Sequence, residues 1–369
     1  VPRPTIADVA KAANVSVSTV DRVLNRRHPV REATAERVQV AAEAVGYHLA
    51  PTIRHRREQD RPARTLGFLL LQQQSEFYDT LGKVLQQATA ASTIIRGRSL
   101  VKFRDYREDQ VVEERLLELG RKCDAVAIVA ADHPYVTRAI DILHAAGVPV
   151  FALISELTAA NRAGYIGLDN SMVGGTAAWF LSNMCRTPGK IAIYVGHHRF
   201  QSQDASEMGF RLYFREHASE FQLLDPTVTL EDDLYAYECT ARLLRQAQDL
   251  VGIYVAGGGI TGVIRALRED RSASSRNLVV IGRDVTEETY EALVGGVINI
   301  ILSHPMKLLA DTLVGAMAQS TINSQINRCV HHRIHFDIYT QANAIPLSES
   351  LKPYNLGLPS RRNIQRNPT

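Results

Sequence analysis

Disulfide patterns, membrane spans and catalytic signatures are all missing from this chain of 369 residues, and each absence narrows what it can be. The four cysteines, Cys123, Cys185, Cys239 and Cys329, lie far apart and form no CxxC pair, which argues against a disulfide framework or a zinc ribbon and suits reduced thiols. No apolar run reaches the roughly 18 residues that a membrane helix needs, and no charged-then-apolar leader opens the sequence. The expectation is a cytoplasmic protein with no membrane partner. There is no GxSxG elbow, HExxH helix, catalytic-cysteine signature or GxxxxGK[ST] loop, so neither an enzyme nor a cofactor is expected. An enzyme would have to use Asp132 and Asp284 as an acid/base pair, and a ligand-closing site uses the same groups without turnover. Gly257, Gly258 and Gly259 follow a strand-like run but lack the GxGxxG register; they read as a turn that lets backbone approach a ligand or closes tightly before the next helix. His331, His332 and His335 are not expected to hold a metal. On one strand His331 and His335 share a face while His332 points away, and no cysteine or carboxylate joins them at ligand spacing.

What is present begins at Thr5. The run TIADVAKAANVSVSTVDRVLN places Ile6, Val9, Ala10 and Ala13 on one helical stripe, with Thr5 as N-cap and Asp8 in the first turn. Asn14 and Val15 interrupt it. Ser16 then caps a second helix with Val20, Val23 and Leu24 inward. A third, from about Arg31 to Val45, turns Val38, Ala41, Ala42 and Val45 inward and stops at Gly46. This is the pattern of a helix-turn-helix, whose second helix enters the major groove by its N-terminal residues, here Val17, Ser18 and Arg22. Charge agrees with it. Residues 1–64 carry 12 Lys and Arg against 7 Asp and Glu, whereas the rest carries 30 against 32, so a basic head precedes a nearly neutral body.

From Thr65 onward, short apolar runs alternate with amphipathic stretches. Strands are expected at 66–71, 100–103, 125–129, 148–153, 165–168, 191–195, 251–255, 279–281, 298–302 and 333–339, with helices such as 78–91 and 111–119 between them. Continuous apolar strands alternating with helices imply parallel sheets covered on both faces, and ten strands imply two lobes. Ligands of such sheets bind beyond the carboxyl ends of the strands. The loops there hold groups suited to a polyol: Gln72, Gln73 and Gln74 with Phe77 and Tyr78, Asp132 with His133, Asp169 with Asn170, Gly258, Asp284, and Ser303 with His304. Any one of these is equally an ordinary polar loop or helix cap.

The run from Thr5 to Asn25, followed by the segment from Arg31 to Tyr47 that ends VGY, resembles the lactose/galactose-repressor family of bacterial transcription regulators. The resemblance implies an all-α three-helix helix-turn-helix head followed by a two-lobed, doubly wound parallel-sheet body of the type I periplasmic-binding-protein kind. It places the head at 1–48, a basic hinge at 49–64, and the bilobed body at 65–340. Lobe 1 takes about 65–168 and 303–326, lobe 2 about 169–302 and 327–340, with crossings near Asp169, Leu302 and Asn327; an irregular tail covers 341–369. The implied activity is operator binding, as a homodimer on a near-palindromic duplex, by a repressor governed by a sugar, polyol or sugar derivative in the interlobe cleft. Such a protein is associated with the nucleoid while on its operator. Base contacts are implied for Val17, Ser18 and Arg22, and phosphate contacts for Thr5, Ser16, Thr19, Asn25 and Thr34.

Three positions depart from the family pattern. Asp21 stands where a small hydroxyl residue is usual, either repelling phosphate or pairing with Arg22, Arg26 or a nearby Lys. The hinge has Arg54 to Arg57 where an apolar wedge belongs and leaves only Leu49 and Ile53 as wedge candidates, so the basic linker around Ile53 and Arg54 is expected to bind phosphates or a narrow minor groove without a deep wedge, the alternative being a solvated tether. Ser206 replaces the Arg that grips ligand hydroxyls three residues before Gly209 and Phe210, a role open to His197, His198, Arg199, Gln201 or Gln203. Asp284, in VVIGRDV, resembles the ligand carboxylate of the family, and Phe77 with Tyr78 resembles a sugar-stacking pair.

Overall fold

The computed structural model describes residues 3–25, 30–52, 59, 61–72, 74–105, 109–270, 278–322 and 329–346. The chain divides into two compact units, residues 1–64 with 90–98, and residues 65–89 with 99–369. In the first, α1 (Ile6–Ala13) opens on a reciprocal capping box: the Thr5 backbone N–H donates to Asp8 Oδ2 at 2.8 Å, and the Asp8 N–H returns to Thr5 Oγ1. Asn14 ends the helix in the left-handed region, φ 50°, which redirects the chain into α2 (Val17–Asn25) within three residues. Gly46, φ 70°, follows α3 (Glu32–Ala44). Val9, Ala10 and Ala13 pack with Val20, Leu24, Val38, Ala41 and Ala42, and Tyr47 and Ala50 complete this separate small core. The expected basic hinge contacts, on Ile53 and Arg54, lie outside the described residues, as does the tail from 347 onward.

The body contains two sheets. The first is built from β1 (Ala63–Leu71), β2 (Arg96–Arg104), β3 (Ala125–Ile128), β4 (Val150–Leu153), β5 (Gly164–Leu168) and β12 (Val330–Ile334), in the order 12-5-4-3-1-2. The helices α4 (Glu76–Ala90), α5 (Asp109–Gly120) and α6 (Pro134–Ala145) connect its strands, and α5 and α6 share a core with Val126, Ile128 and Val150. The second holds β6 (Lys190–Val195), β7 (Gln222–Leu223), β8 (Thr227–Val228), β9 (Leu250–Val255), β10 (Val279–Arg283), β11 (Ile300–Ser303) and β13 (Asp337–Thr340), in the order 13-11-10-9-6-7 with β8 also on β6. Within this second sheet β13 runs antiparallel to β11, against the parallel pairing of the other strands. Strand alternation divides the second core: Ile191, Ile193 and Val195 face α7 (Asn170–Met184) and α8 (Gln201–His217), while Ala192 and Tyr194 face α9 (Asp233–Gln246) and α10 (Ile260–Glu269). The remaining helices are α11 (Glu287–Val294) and α12 (Met306–Ile322). No helix among the described residues is long and apolar enough to cross a membrane.

The chain passes from the first sheet to the second after Leu168 and leaves the second after Ser303. The third crossing differs from expectation. Residues 327–340 do not all join the second lobe: Val330–Ile334 pairs in parallel with Gly164–Leu168 in the first sheet, and only Asp337–Thr340 reaches the second. A single strand over 333–339 would force one straight run through residues 335 and 336, where the chain changes sheets. His331 therefore lies on β12 and His335 in the connection, not on one strand face.

Candidate functional site

The carboxyl ends of both sheets enclose a cavity of about 440 Å³, walled by the loops after β1, β4, β6, β8, β9, β10 and β11. At one wall Asp284 follows β10 with φ 59°, a left-handed conformation that Asp tolerates better than most side chains. That turn aims its Oδ1 at both the backbone N–H of His304, 2.8 Å, and His304 Nδ1, 2.7 Å. Burial works against the Asp284 charge, but His304, its hydrogen bonds and Arg283 outweigh it and hold the carboxyl below its ordinary range. His304 is buried, and its other ring nitrogen, Nε2, has no hydrogen-bond partner among the described residues. The Phe77 ring stands 5.6 Å from the His304 ring and meets Tyr78 edge-on at 5.0 Å.

The facing wall is built around Glu231. Leu230 and Glu231 are consecutive left-handed residues, φ 53° and 54°, anchored where the Thr229 and Leu230 N–H groups donate to the Val195 and Gly196 carbonyls. Gln203, from α8, bridges the site: its Oε1 accepts from the Gly196 and His197 N–H groups, and its Nε2 donates to Glu231 Oε1 at 2.8 Å. The Gly258 N–H also bonds to the carboxylate. A Cβ at Gly196 or Gly258 would sit 1.7 or 1.9 Å from the Glu231 carboxylate oxygens, so the glycines make room for that side chain. Burial raises both Glu231 and Tyr78 above their ordinary ranges, and the Tyr78 phenol also feels the charges of Glu231 and Asp284.

Contacts across the cleft join the lobes at two places. Asp132 accepts from Gln201 Nε2 at 2.9 Å and donates its N–H to the Arg199 carbonyl, beside a bond from the Ser202 N–H to Ser155 Oγ. Elsewhere both Glu76 oxygens receive the Glu287 N–H, 3.0 and 2.9 Å, at the positive end of α11. Glu76→Ala should therefore weaken ligand binding by about two- to fivefold, given a worth of roughly 0.3–1 kcal/mol for a carboxylate at an exposed helix terminus. Calorimetric titration beside an unchanged thermal melt checks this.

Of the residues picked from sequence, Gln72, Gln74, Phe77, Tyr78, Gln203, Gly258, Asp284 and His304 line the cavity. Asp132, His133, Asp169, Ser206 and Ser303 do not. Asp132 clamps the lobes instead, and His133 caps α6. Asp169 caps α7 and meets Arg333, a cap being what a strand-to-helix carboxylate commonly supplies. Ser206 is buried, bonded to the Tyr254 hydroxyl at 2.8 Å, because the face of α8 that carries it points into the second core. The Ser303 hydroxyl accepts from the Val285 N–H and supports the turn at Asp284. Sequence reasoning overlooks Glu231, Arg283, Phe200 and Ser155 as wall residues. The signal available for Glu231 is its place in LEDD, after a strand and ahead of a helix, where an acidic run reads as solvated loop.

In the first unit, Val17 is 51% exposed, and Ser18 and Arg22 are exposed beside it. The Ser16 hydroxyl accepts the Thr19 N–H at 3.2 Å and meets the Ser18 and Thr19 hydroxyls at 2.8 Å each, which ties the first turn of α2 together. Asp21 accepts from Asn25 Nδ2 at 2.6 Å, a bond along the helix, and Arg26, one of its expected partners, lies outside the described residues. Thr5 serves the α1 cap, and Thr34 is half-buried at the start of α3.

These two constructions define the class: a helix-turn-helix head joined to a body of the kind that closes two lobes over a ligand. Residues 5–49 match the family model described as bacterial regulatory proteins, lacI family, and residues 66–321 match the periplasmic binding protein domain. The chain belongs to the lacI family of bacterial regulatory proteins, with a periplasmic-binding-protein domain as its body. It is 42% identical over 74 residues to the HTH-type transcriptional repressor PurR of Aliivibrio salmonicida, covering 20% of this chain and 22% of that protein. It is 30% identical over 127 residues to the HTH-type transcriptional regulator GalR of Salmonella typhimurium, covering 34% of this chain and 35% of the other. The chain spans between 22% and 57% of the length of these and a third curated relative, from Streptomyces limosus. The fold is similar to that of an ABC transporter solute binding protein from Agrobacterium vitis, bound with alpha-D-tagatopyranose. The TM-score is 0.68 at 18% identity, over 77% of this chain and 97% of the other.

Proposed function

We propose that this protein is a bacterial transcriptional repressor that binds a near-palindromic operator as a homodimer and is governed by a sugar-like polyol in the interlobe cleft. The observation that carries the reading is the exposed N-terminal half of α2, with Val17, Ser18 and Arg22 standing clear of a self-contained three-helix core. In the helix-turn-helix geometry those side chains meet base edges, while Thr5, Ser16, Thr19, Asn25 and Thr34 are positioned for phosphates. Two heads on one dimer reach half-sites about one helical turn apart, or a multiple of that. The cleft supports the effector half of the reading, because Phe77, Tyr78 and Phe200 supply apolar faces while Asp284, Glu231 and Gln203 supply hydrogen-bonding groups. Effector binding changes operator affinity through a coupling of about 1–3 kcal/mol.

Fluorescence anisotropy with fragments of the regulator's own upstream region tests the proposal, and saturable binding to one fragment over random duplex at moderate salt is the expected result. Arg22→Ala should cost about 1–3 kcal/mol on that fragment and leave affinity for random duplex much less affected. Equal affinity of the unaltered protein for all duplexes, with and without metabolites, would sink the reading.

A further inference from the structure

Glu231 is a cavity carboxylate built into the wall with no counter-charge among the groups that hold it. Asp284 is served by His304 and by Arg283. Glu231 is held by neutral donors, the Gln203 amide and the Gly258 N–H, and the charged side chain that acts on it is another carboxylate, Asp233. Two consecutive left-handed residues and two glycines without room for a Cβ are committed to placing it there. A buried carboxylate without a cation is costly: it either takes up a proton or meets something positive, and this one stands at the wall of an open cavity.

The rest of the wall has the same preference. His304 is 4% exposed, and its Nδ1 is engaged by Asp284. With a proton on Nδ1, the unpartnered Nε2 offers a lone pair to a ligand O–H or N–H. Phe77, Tyr78 and Phe200 present aromatic rings, which attract cations as well as sugar C–H faces. Glu76, Asp233 and Glu288 add negative potential around the lining, against one guanidinium, Arg283, whose charge acts on Asp284.

We infer that the cleft takes a ligand with a protonated amine on a polyhydroxyl frame, an amino sugar or amino alditol, with Glu231 as the counter-ion of its ammonium group. The inference rests on the effector reading above and narrows it. A neutral sugar satisfies the hydrogen bonds of the wall but leaves the charge unpaired, whereas an ammonium satisfies both.

The groups facing Glu231 are Gln203 from α8, Gly196 after β6, Gly258 after β9, Tyr78 from α4 and Asp233 from α9; none supplies a positive charge. Because burial raises the Glu231 carboxyl, ammonium binding draws a proton off it, and affinity rises with pH from the ordinary carboxylate range toward neutrality. For the empty protein the sign is opposite. A raised folded value contributes stability below the ordinary glutamate range, which is lost as pH rises through the folded value. Glu231→Gln should therefore melt above the unaltered protein at pH 7 and lose that advantage at pH 4.

The test is calorimetric titration of the full chain at pH 5 and pH 7 with matched pairs: D-glucosamine and D-glucose, D-galactosamine and D-galactose, 1-amino-1-deoxysorbitol and sorbitol. The expected result is an amine that binds at least about tenfold more tightly than its hydroxyl partner, more tightly still at pH 7, and that loses at least about tenfold in Glu231→Gln. A panel in which no amine binds, or in which amines bind no better than their partners, overturns the inference whatever the variant does. If a neutral sugar then binds and releases or recruits operator, the effector reading stands alone. The pairs are compared on the unaltered protein, so the outcome does not depend on how the variant folds.

Discussion

Asp284→Ala is expected to destabilise the body by about 3 kcal/mol, because it leaves the buried His304 N–H and ring Nδ1 without their carboxylate partner, and to abolish saturable effector binding. The alanine strands the His304 N–H and its Nδ1, which now share one carboxylate oxygen at 2.8 and 2.7 Å. It also puts alanine at a left-handed turn after β10 that Asp tolerates better. Urea unfolding at pH 7 measures the first effect and calorimetric titration the second. The pH dependence is specific in sign. Since the folded Asp284 carboxyl lies below its ordinary range, its contribution is fully present above about pH 4 and is lost as pH falls through the lower folded value. The gap between the unaltered protein and Asp284→Ala should therefore narrow at pH 3, and a gap that stays constant from pH 7 to pH 3 would show that the pair carries no charge-linked stability.

The second large effect is expected at a crossing with no polar chemistry. A Cβ on Gly209 of α8 would fall 2.1 Å from the Ser171 carbonyl oxygen of α7, and one on Gly174 would fall 1.8 Å from the Ser206 carbonyl oxygen. These contacts involve backbone, so no rotamer change relieves them. Gly209→Val should lower stability by at least about 3 kcal/mol, at the upper end of overpacking penalties, and should displace the N-terminal turn of α8 that carries Gln203. A paired control separates steric cost from helix propensity: at Gly315, on α12, an added methyl would meet nothing within 4 Å, and Gly315→Ala should raise stability by about 0.5–1 kcal/mol. Differential scanning calorimetry distinguishes the two, and similar melts for both variants would refute the account of the α7–α8 crossing.

How much of this is legible in the sequence depends on what kind of physics positions each residue. Thr5 and Asp8 are readable because a capping box is local, closed by bonds three residues apart. Most strands are readable because they are buried on both faces and so appear as continuous apolar runs, whereas β7 and β8, two residues each and only half-buried, are not among those expected. Phe77, Tyr78, Asp284 and His304 are readable because a loop after a parallel strand opens onto the cleft wherever the rest of the chain goes. Ser206 is misplaced by sequence because matching three residues to Gly209 and Phe210 says nothing about which face of α8 looks inward. Glu231 escapes for the converse reason. Its position depends on Gly196, Gln203 and Gly258, which lie apart in sequence and meet only once β6 and β9 pair. The third crossing is hidden because β12 and β13 are five and four residues long and separated by two, so their apolar pattern reads as one strand.

The second crossing has a mechanical consequence. His304 belongs to the stretch by which the chain passes from β11 in one lobe to α12 on the other, and it is also a wall of the cavity. A guest bonded to its imidazole would touch the segment that links the two sheets, and so both lobes at once.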